Sequence, residues 1–247
     1  FHKGAFYLAE AFNLDILPVL IHGASEAIPK GDFVIHDTTL TVSILERITP
    51  DNLSFGKNYT ERTKQIGAYF KNEFAKIRQE LEGPKYFKKM LLHSYDYKEI
   101  EIVNSVKNDL KVNLGTYHNL NQHLSTNAKI LHLSKDYGQL DVLLTLQEPQ
   151  RKIYSYTKDE EKLAVAKTNY IVSKRKITYL DHFDLTLQNQ YDAVLISDEN
   201  YKNDLEKIVA TTSVVILIDA SDLKDTLTNF GFNSVLDKDS IIILKKN

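Results

Sequence analysis

Apolar residues follow two rhythms along this chain. Near its start Ala5, Leu8, Ala9 and Phe12 recur at helical spacing, the run DILPVLIHG (15–23) reads as a buried strand closed by Gly23, and TLTVSILERI (39–48) alternates as a strand does. From Thr60 to Glu82, the residues Ile66, Tyr69, Phe70, Phe74, Ile77 and Leu81 fall three and four apart, which predicts an amphipathic helix stopped by Gly83 and Pro84. Residues 84–127 mix helix-like material around Ile100 to Leu114 with polar stretches such as NLNQHLSTN, and read as a linker with leading helices.

After Ala128 the rhythm becomes regular. AKILHL and a helical stretch are followed by RKIYSY, the helix KDEEKLAVAKTNYIV, then KITYL, YDAVLIS, the helix NDLEKIVA, SVVILIDA, and finally FNSVLD and SIIILKK. Strands alternating with helices in this way predict an α/β, doubly wound, mainly parallel sheet covered on both faces. The last two runs are separated only by Lys238 and Asp239, so they are expected as an antiparallel hairpin at one edge. The expected organisation is an α/β segment over 1–83, a linker with leading helices over 84–127, and a Rossmann-like domain over 128–247.

With 247 residues and 43% hydrophobic side chains, the chain can bury a real core. Its 31 basic and 33 acidic residues nearly cancel, which argues against nucleic acid as a partner. Cysteine is absent, so disulfides, thiolate metal sites and a cysteine nucleophile are excluded. Runs such as VVILI (214–218) fall far short of the roughly 20 residues of a membrane span, and a cytoplasmic location is expected. The inner face of a membrane is also open, because 57–98 carries ten basic against five acidic residues with Phe and Tyr interleaved, a composition suited to an anionic lipid surface. A solvated helix packed on its own domain is the favoured reading of that segment. FHKGAFYLAEAF begins inside a helical pattern, so a piece of a longer chain is expected.

Few chemical motifs stand out. Gly-x-Ser-x-Gly and the phosphate loop ending in Gly-Lys-Ser/Thr are both missing. His118 and His123 lie five apart without a carboxylate at helical distance, so no metal site is expected. His22, between Ile21 and Gly23, reads as a satisfied strand-end histidine.

The segment ILHLSKDYG (130–138) resembles the class I methyltransferases, which transfer methyl groups from S-adenosylmethionine and whose first strand ends in a turn of the type I-L-D-I-G-C-G-Y-G. Ile130, Leu131, Tyr137 and Gly138 match; His132 stands for the acid, and Ser134, Lys135 and Asp136 stand for Gly, Cys and Gly. SYTKDEEKL resembles the second-strand pattern G-I-D-Y-D-E-E-K-I through Asp159, Glu160, Glu161 and Lys162, with Thr157 where the family places the carboxylate that holds the ribose. Asp181 or Asp184 would serve the adenine end, and ISDENY (196–201) resembles the segment beside many methyl-acceptor sites, with Asp198 retained. The resemblance thus implies cofactor positions at Ser134, Asp136, Gly138, Thr157, Asp184 and Asp198. Side-chain bulk in the turn and the lost ribose carboxylate, at about 1–3 kcal/mol per contact, imply binding weakened by orders of magnitude. The expectation is no cofactor, with S-adenosylmethionine the ligand of any surviving site.

FHKGAFYLAEAFNLDILPVLIHG resembles bacterial glycerolipid acyltransferases that acylate lysophosphatidic acid. Phe1, Lys3, Gly4 and Ala5 match that family's helix start after its phosphate-binding motif, and Leu17, Pro18, Val19 and Gly23 match its V-P-V strand. The resemblance gives Lys3, Gly4 and Pro18 supporting roles, with glycerolipid or acyl donor as partner through preceding sequence. The family's H-x-x-x-x-D motif is missing, since no histidine here has an aspartate five positions on, and no catalytic residue is assigned. The combined expectation is the C-terminal region of a glycerolipid acyltransferase joined to a degenerate methyltransferase-like domain that acts as an interaction or positioning module. The alternatives are an active methyltransferase using Asp184 and Asp198, and a peripheral membrane-binding module acting through 57–98.

Overall fold

The structure, a computed structural model, describes residues 2–27 and 38–246. It divides into two compact units, Phe1–Gly83 and Pro84–Asn247.

In the first unit α1 (Lys3–Ala11) is followed by β1 (Val19–His22), the short α2 (Ala24–Ala27) and β2 (Thr41–Ile44), and α3 (Tyr59–Leu81) closes the unit. The two strands pair antiparallel, with Val19 opposite Ile44 and Ile21 opposite Val42. Both strands are shorter than their apolar runs, because Ile16 and Ile48 meet only through an isolated bridge. Asn58 caps α3 by accepting from the N–H groups of Thr60 and Glu61, while Glu61 accepts from Lys57 N, a reciprocal arrangement that fixes the start of the helix. Phe6, Ile48 and Ile66 form the small core, and buried Arg62 donates to the carbonyls of Thr49 and Pro50.

The second unit opens with α4 (Lys88–His93) and α5 (Ile100–Gln122), which runs a further two turns beyond the apolar pattern that announced it. Then come β3 (Lys129–Leu133), α6 (Gln139–Gln147), β4 (Lys152–Tyr156), α7 (Glu160–Lys167), β5 (Ile177–Tyr179), β6 (Ala193–Ile196), α8 (Leu205–Ile208), β7 (Val214–Ile218), α9 (Lys224–Asn229), β8 (Phe232–Lys238) and β9 (Ile241–Lys246). The helix expected over 158–172 stops at Lys167, and the one expected over 203–210 is reduced to a 3-10 turn and the four residues of α8.

The strands form one seven-stranded sheet in the order β5-β4-β3-β6-β7-β9-β8. From β5 to β7 every pair is parallel; β9 runs antiparallel to β7 and β8 antiparallel to β9. Period-two alternation distributes the apolar side chains between two cores. Ile130, Leu195, Ile216 and Ile243 face α5 and α6, whereas Leu131, Val194, Val215 and Leu244 face the layer holding Tyr201, Leu205, Leu223 and Leu227. The hairpin turns at Asp239 and Ser240, one residue later than the apolar runs indicated, with φ of 53° and 63°. Two consecutive positive φ values give the turn that matches strand twist.

Candidate active site at the crevice of the sheet

The chain leaves the central strand β3 for β4 and β5 on one side, then crosses to β6 and β7 on the other. This reversal of direction leaves a crevice beyond the carboxyl ends of β3 and β6, where doubly wound sheets bind ligands. A cavity of about 290 Å³ lies there, lined by Asp109 and Tyr117 of α5, Lys135 to Tyr137 of the loop after β3, Lys162, Ser197 and Asp219. Pro84–Asn247 has a doubly wound, Rossmann-like fold.

The loop after β3 is tied down by its own neighbours. Ser134 N donates to Tyr156 O at 2.9 Å and extends the parallel ladder, Tyr137 N donates to Gln139 Oε1 at 2.9 Å, and Gly138 N donates to Asp136 Oδ1 at 2.8 Å. Two of its carbonyls are also engaged, that of Lys135 by Lys162 Nζ at 2.8 Å and that of Tyr137 by Tyr95 Oη at 3.0 Å. Of the loop residues only Gly138 has positive φ, at 86°. A Cβ there would stand 2.3 Å from Tyr179 Oη and 2.9 Å from Ala166 Cβ, so this glycine serves the packing of the loop on β5 and α7.

At the end of β4, Thr157 is buried and its hydroxyl accepts from Asp159 N at 3.3 Å. Asp159 caps α7 by accepting from Lys162 N, a bond that holds its carboxyl below the usual range. Asp181 pairs with Lys167, whose hydrogen bond lowers its pKa, and Asp184 lies exposed in the first turn of a 3-10 helix. Asp198 accepts from Asn200 N at 3.0 Å as the cap of the next 3-10 turn. Lys158 reaches from the loop after β4 to Asn200 O at 2.8 Å and Asp204 Oδ2 at 3.1 Å, beside the β6 exit. The structure therefore brings Asp136 to the cavity wall, holds Ser134, Gly138 and Thr157 in internal contacts, and gives Asp184 and Asp198 no place on that wall.

Beneath the loop lies a polar cluster that the motif reading did not assemble. His132 is fully buried; its Nδ1 donates to Asp141 Oδ1 at 2.7 Å, and its Nε2 lies 3.1 Å from Ser197 Oγ. Burial pulls the His132 pKa down, but the Asp141 carboxylate outweighs it and holds the imidazole above its ordinary value. Asp136 is pushed up to about 6, first by burial and then by Asp141 and Asp109, against a lowering influence from His132. Asp109 accepts from Tyr117 Oη, Asn113 Nδ2 and Gln139 Nε2, and burial raises the Tyr117 phenol well above its usual range. One signal could have pointed to it: in QLDVLLTLQ (139–147) apolar residues fall on nearly every side of a helix, so Asp141 would be buried, as it is in α6, and a buried aspartate needs a partner.

In the first unit, Lys3 and Gly4 are exposed, and a side chain at Gly4 would meet no atom within 4 Å. Pro18 is buried and its carbonyl accepts from Leu45 N at 2.9 Å, a strand-end role. Phe1 lies outside the described residues. His22 is buried against Glu82 Oε1 at 3.1 Å, the satisfied histidine expected. Among the described residues no helix is long and apolar enough to cross a membrane.

No family model matches the chain, and no curated protein does. Among solved structures it is similar to a tRNA methyltransferase (TrmK) of B. subtilis, with 13% identity over 53% of this chain and 65% of that one, at a TM-score of 0.43. TrmK of M. capricolum, solved with S-adenosyl-homocysteine, gives 14% identity over 53% and 68% at 0.41. A precorrin-6y C5,15-methyltransferase of Geobacter metallireducens gives 13% over 52% and 84% at 0.44. At these identities and TM-scores the likenesses carry no argument about this chain, and the acyltransferase resemblance gains nothing from them.

Proposed function

We propose that Pro84–Asn247 is a methyltransferase-fold module that has given up S-adenosylmethionine and serves to position the unit it follows. The observation that carries this reading is the self-satisfied loop. A glycine-rich turn offers a cofactor free N–H groups and close backbone approach, whereas here three loop N–H groups are committed to Tyr156, Gln139 and Asp136. The residues present do not fit the adenosyl group at its other end either, since the Thr157 hydroxyl supplies no carboxylate for the ribose. Calorimetric titration of the whole chain with S-adenosylmethionine and its homocysteine product tests the reading. No heat at millimolar ligand is expected, and a Kd of about 10 μM or tighter overturns it. Such a result would favour the second reading, an active methyltransferase with an unorthodox turn, whose supporting observation is the cavity at the crevice.

The first unit supports a glycerolipid-facing role. Val19, Ile21, Val42 and Ile44 are 42% to 67% exposed on one face of the β1-β2 pair, and Tyr7 and Leu8 of α1 and Phe12 just after it are exposed as well. An apolar sheet face of this kind calls for a covering layer, which fits a part of a larger α/β acyltransferase-type domain working at lipid.

A further inference from the structure

Three side chains beneath the cavity stand in the order of a nucleophile, a base and an orienting acid. We propose that Ser197, His132 and Asp141 form an acyl-transfer site that takes a small carboxylic ester or thioester from the crevice cavity. Asp141 can only accept, so neutral His132 carries its proton on Nδ1 and leaves Nε2 as the acceptor facing Ser197 Oγ at 3.1 Å. That is the tautomer a base needs, and burial of both partners fixes the ring. Ser197 lines the cavity, so its hydroxyl is the member of the set that meets a ligand. It also lies 3.5 Å from Leu133 O, which offers the hydroxyl proton a second acceptor when His132 is charged.

The step balances without any further reagent. Ser197 Oγ attacks the carbonyl carbon as its proton passes to His132 Nε2. The tetrahedral adduct then collapses, breaking the bond to the alkoxide or thiolate, which leaves with the proton from Nε2. Water repeats the sequence to free the carboxylic acid and restore Ser197. A cavity of about 290 Å³ has room for a short acyl group. His132 faces Asp141, Ser197 and Asp136 from the loop, with Tyr179 of β5 set against Asp141, and its charged form blocks the base. The reaction therefore speeds up as pH rises.

The test is labelling of the full chain with a small alkyl fluorophosphonate, with the modified peptide located by mass spectrometry. Labelling at Ser197 is expected; assayed from about pH 5 to 10, its rate climbs with pH, and it falls about 100-fold or more in Asp141→Asn. Ser197→Ala, which removes one oxygen at the cavity wall, should abolish it while leaving the circular dichroism melt in place. Absence of Ser197 modification in the wild-type chain across that pH range overturns the proposal. So does a rate indifferent to pH, a readout on unmodified protein that holds even if Asp141→Asn does not fold. Neither outcome bears on S-adenosylmethionine binding, so this proposal and the preceding reading fail separately.

Discussion

Replacing Asp136 by asparagine should make the protein more stable at neutral pH. The carboxyl sits in the cavity wall with its pKa pushed from 3.8 to about 6, so the native state holds this proton more tightly than the unfolded chain does. The sign follows from that order. Below about pH 4 both states are protonated and the group is neutral in its effect; between about 4 and 6 a penalty grows; above about 6 it is complete. Two pKa steps at 1.36 kcal/mol each make the full penalty about 3 kcal/mol. Asparagine keeps an oxygen for Gly138 N but loses the charge-assisted part of that bond, about 1 kcal/mol, which leaves a net gain of about 1–2 kcal/mol at pH 7.5. Urea unfolding followed by circular dichroism at pH 7.5 and 5 reads both magnitude and sign. The gain should shrink toward zero at pH 5. A loss of stability at pH 7.5, or a gain equal at both pH values, would refute the reasoning.

Arg151, 1% exposed, donates to the carbonyls of Asn121, Leu124, Ser125 and Leu144 and to Asn121 Oδ1, gathering the carboxyl end of α5 onto β4. Arg151→Met fills much of the same volume but leaves those acceptors without a donor, and should cost at least about 3 kcal/mol in urea unfolding; a change under about 1 kcal/mol would show the clamp to be dispensable. The lipid-facing reading of the first unit, and the basic excess of 57–98, which runs on into the second, predict co-sedimentation of the full chain with anionic vesicles that weakens as salt rises from about 50 to 500 mM. Equal recovery with neutral vesicles, or none with either, removes that partner.

Several features of the second unit were written in the chain. Strands buried on both faces demand continuous apolar runs, so the parallel β3, β6 and β7 and the antiparallel β9 could be read directly from KILHL, AVLI, VVILI and IIIL. The hairpin at the edge was equally legible, but its turn was not. Lys238 pairs with Ile241 because Asp239 and Ser240 adopt positive φ, a choice made by strand twist rather than by a glycine in the sequence. The helix 158–172 was overread because apolar residues at 170–172 suit a 3-10 turn packed on the core as well as they suit a helix.

The site divides along the same line. Local sequence determined that the loop after β3 lacks its glycines and that Thr157 stands where an acid would, since both are properties of one short segment. Only the tertiary structure decided that His132, Asp141 and Ser197 meet, because residues 9 and 65 positions from His132 become neighbours when β3 and β6 pair and α6 packs under the loop. The same packing decided that the loop satisfies itself. A hydrogen bond from Tyr137 N to Gln139, or from Lys162 to the Lys135 carbonyl, depends on where the backbone turns in space, and no spacing along the chain encodes it.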